Sequence, residues 1–173
     1  MQKAVFLDRD GVINVDTDYV HTIEEFQFIP GVFQAVRHYK QAGYLVFVIT
    51  NQSGIGRGKY TEEQYQILTR WMEERFREEN AEVTAVYHCP HRPEEGCACR
   101  KPKPGMLHQA RDEHGADLSR SWLVGDKESD LGAAINAGLP HYGLVRTGHK
   151  LNESGTKAQF IVNSLLDTIA IIQ

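Results

Sequence analysis

The chain of 173 residues contains no run near the roughly 18 apolar residues of a membrane-spanning helix, which argues against an integral membrane protein. It has no internal repeat, low-complexity tract or linker, so one domain over residues 1–173 is expected. Strong charge of one sign is missing as well. A net charge of −4 gives no general surface for nucleic acid or anionic lipid, although local basic clusters can still bind phosphate. Cysteine is scarce as well. There are three cysteines, an odd number, and Cys89, Cys97 and Cys99 lie within eleven residues, which fits a metal site better than a disulfide framework. Met1-Gln2-Lys3 leads directly into an apolar run, and a cytoplasmic location is expected.

What is present is globular composition, 41% apolar and 24% charged, arranged as alternating strand and helix patterns. Ala4 to Leu7 reads as a buried strand ending in Asp8-Arg9-Asp10-Gly11. In extended backbone, residues two apart share a face, so Asp8 and Asp10 are expected to converge, with Mg²⁺ offsetting their repulsion. Asn14 to Pro30 reads as a polar connection, long enough to suggest function. A helix beginning at Gly31 and stopping at Gly43 leads to a second buried strand, Tyr44 to Ile49, followed by Thr50-Asn51-Gln52-Ser53-Gly54. Such a crossover is right-handed, which makes the two strands parallel and puts both polar clusters at one edge.

Thr61-Glu62-Glu63-Gln64 is a capping box opening a helix with a core stripe of Tyr65, Leu68, Met72 and Phe76. Thr84 to His88 is a third strand, and the proline-rich stretch after it, Cys89 to Pro104, excludes regular structure. A helix from Met106 to His114, a strand Trp122 to Val124 ending in Gly125-Asp126, a helix stopping at Gly138, a strand Tyr142 to Val145, a short strand Gln159 to Val162 and a final helix around Leu165, Leu166 and Ile169 complete the chain. The pattern predicts an α/β fold, a three-layer Rossmann-like parallel sheet with ligands at the carboxyl ends of the strands.

Asp8-x-Asp10-Gly11, Thr50, Lys101 in Arg100-Lys101-Pro102-Lys103, and Gly125-Asp126-x3-Asp130 occur in order, each at a strand end or in a loop that follows one. Singly each is weak; together they resemble the haloacid dehalogenase superfamily of phosphohydrolases, over Lys3 to about Val145. The resemblance implies that Asp8 is a nucleophile forming an aspartyl-phosphate and that Asp10 is general acid and then base. It further implies that Thr50 and Lys101 stabilise the phosphoryl group, and that Mg²⁺ is held by Asp8, Asp126 and the backbone carbonyl of Asp10. Asp130 is expected to support these ligands from behind, and Lys103 matches the motif less well than Lys101. Too few residues separate the motifs for a folded cap.

Cys89-x-His91-x5-Cys97-x-Cys99 is a Cys₃His set, which suits a closed structural Zn²⁺ site; such a zinc-bound loop would hold Arg100 and Lys101 at the phosphate. The bland alternative is a flexible loop with incidental cysteines. With Asp8-Arg9-Asp10-Gly11 and Thr50-Asn51-Gln52-Ser53-Gly54, the Cys-Pro-His start and Cys-Arg-Lys-Pro end of this loop are similar to the heptose bisphosphate phosphatases of nucleotide-activated heptose synthesis. Histidinol-phosphatases are their relatives. That likeness implies a small sugar phosphate substrate, contacted by Asp16 and Tyr19, by Asn51, Gln52 and Ser53, and by Arg100 and Lys127. It implies a monomer with no nucleic-acid or membrane partner. Asp16, Asp18 and Tyr19 read equally as a solvated loop. The short spacer of five residues between His91 and Cys97 is a departure from members with a longer insert.

Gly54-Ile55-Gly56-Arg57-Gly58-Lys59-Tyr60 suggests a nucleotide loop but lacks the Ser or Thr after the lysine. Arg57 and Lys59 are instead candidates for a distal phosphate. The eight histidines, His91 apart, are expected to be structural or solvent-facing, and the Gly148 region to add little.

Overall fold

A computed structural model describes all residues, 1–173. Six strands, β1 (Ala4–Leu7), β2 (Leu45–Asn51), β3 (Ala85–Cys89), β4 (Trp122–Gly125), β5 (His141–Val145) and β6 (Phe160–Val162), form one sheet in the order β3-β2-β1-β4-β5-β6. Every pairing is parallel. Parallel strands need crossover connections, and α1 (Val32–Gln41), α3 (Glu62–Glu78), α4 (Gly105–His114) and α5 (Glu128–Ala137) supply four of the five, the connection from β5 to β6 being a loop. A single turn, α2 (Ser53–Gly56), follows β2.

Strand periodicity divides the apolar residues between two faces. Val5, Leu7, Val46 and Val48 pack with Val36 and Tyr39 of α1 and with Leu68, Met72 and Phe76 of α3. Ala4, Phe6, Phe47 and Ile49 point the other way, onto Met106, Leu107 and Ala110 of α4 and Ala133 and Ala134 of α5. The sheet is therefore covered on both sides, the three-layer arrangement that the continuous apolar runs imply. The Thr61 capping box is present, with Gln64 N–H donating to Thr61 Oγ1 at 3.0 Å and Thr61 N–H to Gln64 Oε1 at 2.9 Å.

The structure differs from the sequence expectation in four places. The connection after β1 is not a polar loop throughout: Val20 is wholly buried and Phe26 and Ile29 nearly so, because the segment folds back over the α1–α3 face. Thr50 and Asn51 belong to β2, paired with His88 and Cys89 of β3, so the polar cluster starts inside the ladder. The proline-rich stretch contains a 3₁₀ turn, Pro93–Glu95, compatible with proline at its first position. The last helix is 3₁₀, Leu165–Ala170, with Leu165 and Thr168 buried and Thr168 Oγ1 donating to the Leu165 carbonyl at 2.6 Å.

The strand order reverses between β1 and β4. Asp8 follows the first and Asp126 the second, so the two carboxylates sit at the crevice where sheets of this order place their ligands.

Candidate active site

Asp8, Asp126 and Asp130 bring carboxylate oxygens within 4.8 Å of one another, all three buried. One cation lies among them. Lys101 Nζ donates to Asp8 Oδ1 at 3.0 Å, to Asp130 Oδ1 at 2.6 Å and to the Ile49 carbonyl at 3.0 Å. Burial disfavours the Lys101 charge, but Asp130 and Asp8 outweigh it and raise its pKa, so the ammonium persists. Burial and then the Asp130 carboxylate push Asp8 well above the usual carboxylate range, against the pull of Lys101. Asp126 is pushed up to about 6, first by burial and then by Asp130.

Asp130 serves as a support. Its Oδ2 accepts the backbone N–H of Asp126 at 3.0 Å and of Lys127 at 3.2 Å, closing the start of α5, while Oδ1 holds Lys101. Asp126 has one oxygen committed and one free. Oδ2 accepts from His149 N–H at 3.0 Å and pairs with His149 Nδ1 at 2.7 Å, whereas Oδ1 is buried without a partner. Gly11 and Gly148 make this packing possible, since a Cβ on either would come within 2.3 Å of Asp126 Oδ2. Gly11 also has φ +89°.

The Asp10 carboxylate lies outside the Asp8–Asp126–Asp130 group, although it lines one cleft with Asp8. Extended backbone ends at Arg9, whose carbonyl accepts the N–H of Val12, Ile13 and Asn14, so strand alternation no longer applies beyond Asp8. The Asp10 carboxylate turns instead toward Arg9, Asn14 and Gln52. Burial opposes its ionisation, but the Arg9 guanidinium and the hydrogen bonds from Arg9, Asn14 and Gln52 prevail and lower its pKa. Arg9 is 1% exposed, and its Nη2 also donates to the Val20 carbonyl at 2.8 Å.

Cys89, His91, Cys97 and Cys99 form a second group with donor atoms within 4.8 Å of one another. Cys89 Sγ lies 3.5 Å from His91 Nδ1 and 3.4 Å from Cys97 Sγ, and His91 Nδ1 lies 3.3 Å from Cys99 Sγ. A tetrahedral site with bonds of about 2.3 Å separates its ligands by roughly 3.5–3.8 Å; these three distances and the 3.5 Å between Cys97 Sγ and Cys99 Sγ approach that spacing, whereas Cys89 Sγ and Cys99 Sγ are 2.7 Å apart and would have to separate to share one ion. Against burial, the Arg100 backbone N–H and then the neighbouring thiols bring Cys97 down to about 6, while burial pushes Cys89 up. Asn51 ties the end of this loop to β2: Lys101 N–H donates to Asn51 Oδ1 at 3.0 Å and Asn51 Nδ2 to the Lys101 carbonyl at 3.3 Å.

A cleft of about 310 Å³ opens over these groups. Asp8, Asp10 and Lys101 line it, as do all seven residues expected to touch substrate: Asp16, Tyr19, Asn51, Gln52, Ser53, Arg100 and Lys127. Asp16 to His21 form a turn in which Asp18 and Tyr19 have left-handed φ of 66° and 52°, uncommon for residues other than glycine, asparagine and aspartate. Asn51 and Gln52 spend their amides on protein partners, the first on Lys101 and the second on Asp10, Thr50 and Tyr60. Thr50 accepts from Gln52 at 2.8 Å, which leaves its own O–H to donate elsewhere. Lys103 is turned to the Cys97 carbonyl, and neither Arg57 nor Lys59 lines the cleft.

The HAD-hydrolase-like family model matches residues 98–168, which include Lys101, Asp126 and Asp130. A D-glycero-beta-D-manno-heptose-1,7-bisphosphate 7-phosphatase of Escherichia coli (strain K12) is 46% identical over 172 residues, 95% of this chain and 90% of that protein. The protein of the same name from Vibrio cholerae is 48% identical over 174 residues, covering 96% and 94%. The chain belongs to the haloacid dehalogenase-like phosphatases. They are phosphoric monoester hydrolases. Among solved structures of the family, a D,D-heptose 1,7-bisphosphate phosphatase from B. bronchiseptica, complexed with magnesium and phosphate, superposes with a TM-score of 0.90 at 35% identity, covering 98% of this chain and 97% of that one.

Several residues of this phosphatase site escape a reading of the sequence. His149, expected to be structural or solvent-facing, is 44% exposed and also pairs with Asp126; Gly148, from a region expected to add little, packs against the same carboxylate, and Thr147 Oγ1 donates to the Gly11 carbonyl at 2.7 Å. Nothing marks them, because they lie in a loop more than twenty residues beyond Asp126. Arg9 could have been found: a charged residue two positions beyond a buried strand, between two aspartates, has carboxylate partners at hand if it is buried. Tyr60 and Asn14 carry no such signal.

Proposed function

We propose that this phosphatase removes the 7-phosphate of D-glycero-D-manno-heptose 1,7-bisphosphate through an aspartyl-phosphate on Asp8, in nucleotide-activated heptose synthesis. The observation that carries the reading is 46–48% identity to heptose bisphosphatases over nine-tenths or more of their length. Supporting it is a small polar cleft into which Asp8, Asp10, Lys101, Arg100 and Lys127 converge.

Asp8 attacks phosphorus, Asp10 protonates the departing sugar oxygen, and Asp10 then takes a proton from the water that hydrolyses the aspartyl-phosphate. In the free site Asp10 is a carboxylate; the negative charge of a bound phosphoryl group works against Arg9 to raise its proton affinity, and Asp10 takes up a proton from water as the substrate binds, which it then gives to the departing oxygen. Lys101 and the Thr50 hydroxyl meet the phosphoryl oxygens as their charge redistributes. Arg100, whose Nη1 is buried without a partner, and Lys127 bind the remainder of an anionic substrate, with Asp16, Tyr19, Asn51 and Ser53 around the sugar. Gln52 belongs to the same wall.

Magnesium fits the carboxylate end of the cleft. Three carboxylates and one ammonium leave a buried charge of −2, and Asp126 Oδ1 is aimed inward with no partner. Asp8, Asp126 and the Asp10 carbonyl would hold the ion, which supplies charge neutralisation for the phosphoryl group. The sulfur-rich second group suits Zn²⁺ with Cys89, His91, Cys97 and Cys99 as its ligands, in a structural role because all four positions are filled by protein. We place the reaction in the cytoplasm, where thiol ligands stay reduced, and assign it to a single domain, 1–173, acting as a monomer without nucleic-acid or membrane partners. No helix is long and apolar enough to cross a membrane.

Phosphate release from both anomers of the heptose bisphosphate and from histidinol phosphate tests the substrate. The β anomer is expected to be preferred, as in the names of the relatives. Faster turnover of histidinol phosphate would overturn the assignment. Elemental analysis is expected to find about one zinc per chain.

A further inference from the structure

The two oxygens of the Asp10 carboxylate have unequal surroundings. Oδ1 accepts three N–H groups, from Arg9 Nε at 3.2 Å, Arg9 Nη2 at 2.8 Å and Asn14 Nδ2 at 3.0 Å. Oδ2 accepts one, from Gln52 Nε2 at 3.0 Å. Guanidinium and amide N–H groups only donate, so an oxygen already facing three of them has no room for a proton of its own. A proton carried by this carboxyl therefore resides on Oδ2, and the neighbour that fixes the direction of Oδ2 is the Gln52 amide.

That amide is itself fixed. Gln52 is 3% exposed, its Nε2 also donates to Thr50 Oγ1 at 2.8 Å, and its Oε1 accepts the Tyr60 hydroxyl. With the amide turned over, its carbonyl would face the Asp10 carboxylate, acceptor against acceptor, and the Tyr60 hydroxyl would face an NH₂ group. Packing holds Tyr60 in turn. Its ring stacks on His21 at 5.0 Å and lies so close to Gly54 that a Cβ there would approach to 2.2 Å.

We propose that Gln52 and Tyr60 are positioning residues that aim Oδ2 of Asp10 at the oxygen leaving phosphorus. The proposal rests on the assignment of Asp10 as acid and base given above. In the first step an Asp8 oxygen bonds to phosphorus as the bond from phosphorus to the sugar oxygen breaks, and the Oδ2 proton passes to that oxygen, giving the free alcohol. In the second, water adds to phosphorus, its proton passes to Oδ2, and the Asp8–phosphorus bond breaks to release phosphate.

The two roles of a buried Gln, structural support and proton aiming, separate by leaving group. A sugar alkoxide needs a proton to depart, whereas the phenolate of p-nitrophenyl phosphate leaves without one. The ratio of kcat/KM for the sugar bisphosphate to kcat/KM for p-nitrophenyl phosphate covers binding through phosphoryl transfer to Asp8 and leaves out the second step, so damage shared by the two substrates cancels, and KM for the bisphosphate, measured alongside, separates a lost sugar contact from a lost proton. The full acid effect is on the order of 10²–10⁴-fold. Asp10→Asn should lower the ratio by about that amount, and Gln52→Ala and Tyr60→Phe on the order of 10-fold, with thermal melts confirming that each variant is folded. An unchanged ratio in Gln52→Ala and Tyr60→Phe, beside a lowered one in Asp10→Asn, overturns the positioning role alone. An unchanged ratio in Asp10→Asn removes the acid–base assignment and this inference with it. Tyr60→Phe keeps the ring and its packing, so the test survives if Gln52→Ala fails to fold.

Discussion

The carboxylate cluster and the thiol cluster gather their ligands over similar distances and by opposite means. Asp8 and Asp126 follow the ends of adjacent strands, Asp130 lies in the first turn of α5, and all three are buried. Their positions come from the ladder and the two cores, which is why the cluster tolerates three like charges around one lysine. The thiol cluster has one ligand on a strand, Cys89, and three on a loop that is half-exposed. Between Cys89 and Cys99 only the carbonyls of Cys89, Pro90 and Ala98 accept backbone N–H groups from outside that segment, donated by Gln52, Gly56 and Gly105. A segment so poor in hydrogen bonds takes its shape from its ligands. The two clusters meet at Arg100 and Lys101, which directly follow the last thiol and reach the cleft. Rigidity is inherited from the sheet on one side; on the other, the zinc proposed above would supply it.

The strongest way to break the comparison is Asp8→Asn. Turnover should fall by at least roughly 10³-fold if Asp8 is the nucleophile proposed above, since an amide cannot form the aspartyl-phosphate. In metal-free protein the melting temperature should hold or rise, because a crowded buried charge is removed. A marked fall in melting temperature would mean that the sheet does not carry the cluster. Cys97→Ser should act in the opposite sense. Zinc content should drop below half an equivalent and kcat/KM by about 10–100-fold, with Mg²⁺ affinity measured by calorimetry unchanged.

Asn51→Ala sharpens the link between the two. Removing the amide that clamps the Lys101 backbone should cost roughly 10-fold in kcat while leaving zinc content intact. Loss of zinc in this variant would show that β2 helps to shape the loop. The smallest effect concerns pH. Asp126 sits at about 6 in the folded protein against an ordinary 3.8, so the folded state binds the proton more tightly than the unfolded chain. The contribution of Asp126 to stability in chelator is thus fullest below about pH 4 and is lost as pH rises through about 6. Thermal melts should fall by a few degrees across that window. Saturating Mg²⁺, which binds the ionised carboxylate, should flatten or reverse the slope.

Much of this was legible in the chain itself. Continuous apolar runs ending in Asp8, Thr50 and Asp126, separated by helical periodicity, dictate a parallel sheet covered on both faces, with those residues at one edge. The Cys₃His spacing alone marks four potential ligands, since chain proximity brings them together.

The rest depended on contacts between segments distant in sequence. Strand alternation suggested that Asp8 and Asp10 point to one side, but where the chain turns is decided by hydrogen bonds to the Arg9 carbonyl, and the turn sends the two carboxylates to different partners. Tyr60, Thr147, Gly148 and His149 acquire their roles only when loops fold onto Gln52, Gly11 and Asp126. A residue's type and its place on a strand determine what chemistry it can offer. Which oxygen of a carboxylate is committed and which is free is set by neighbours from elsewhere in the chain, and only the tertiary structure brings them there.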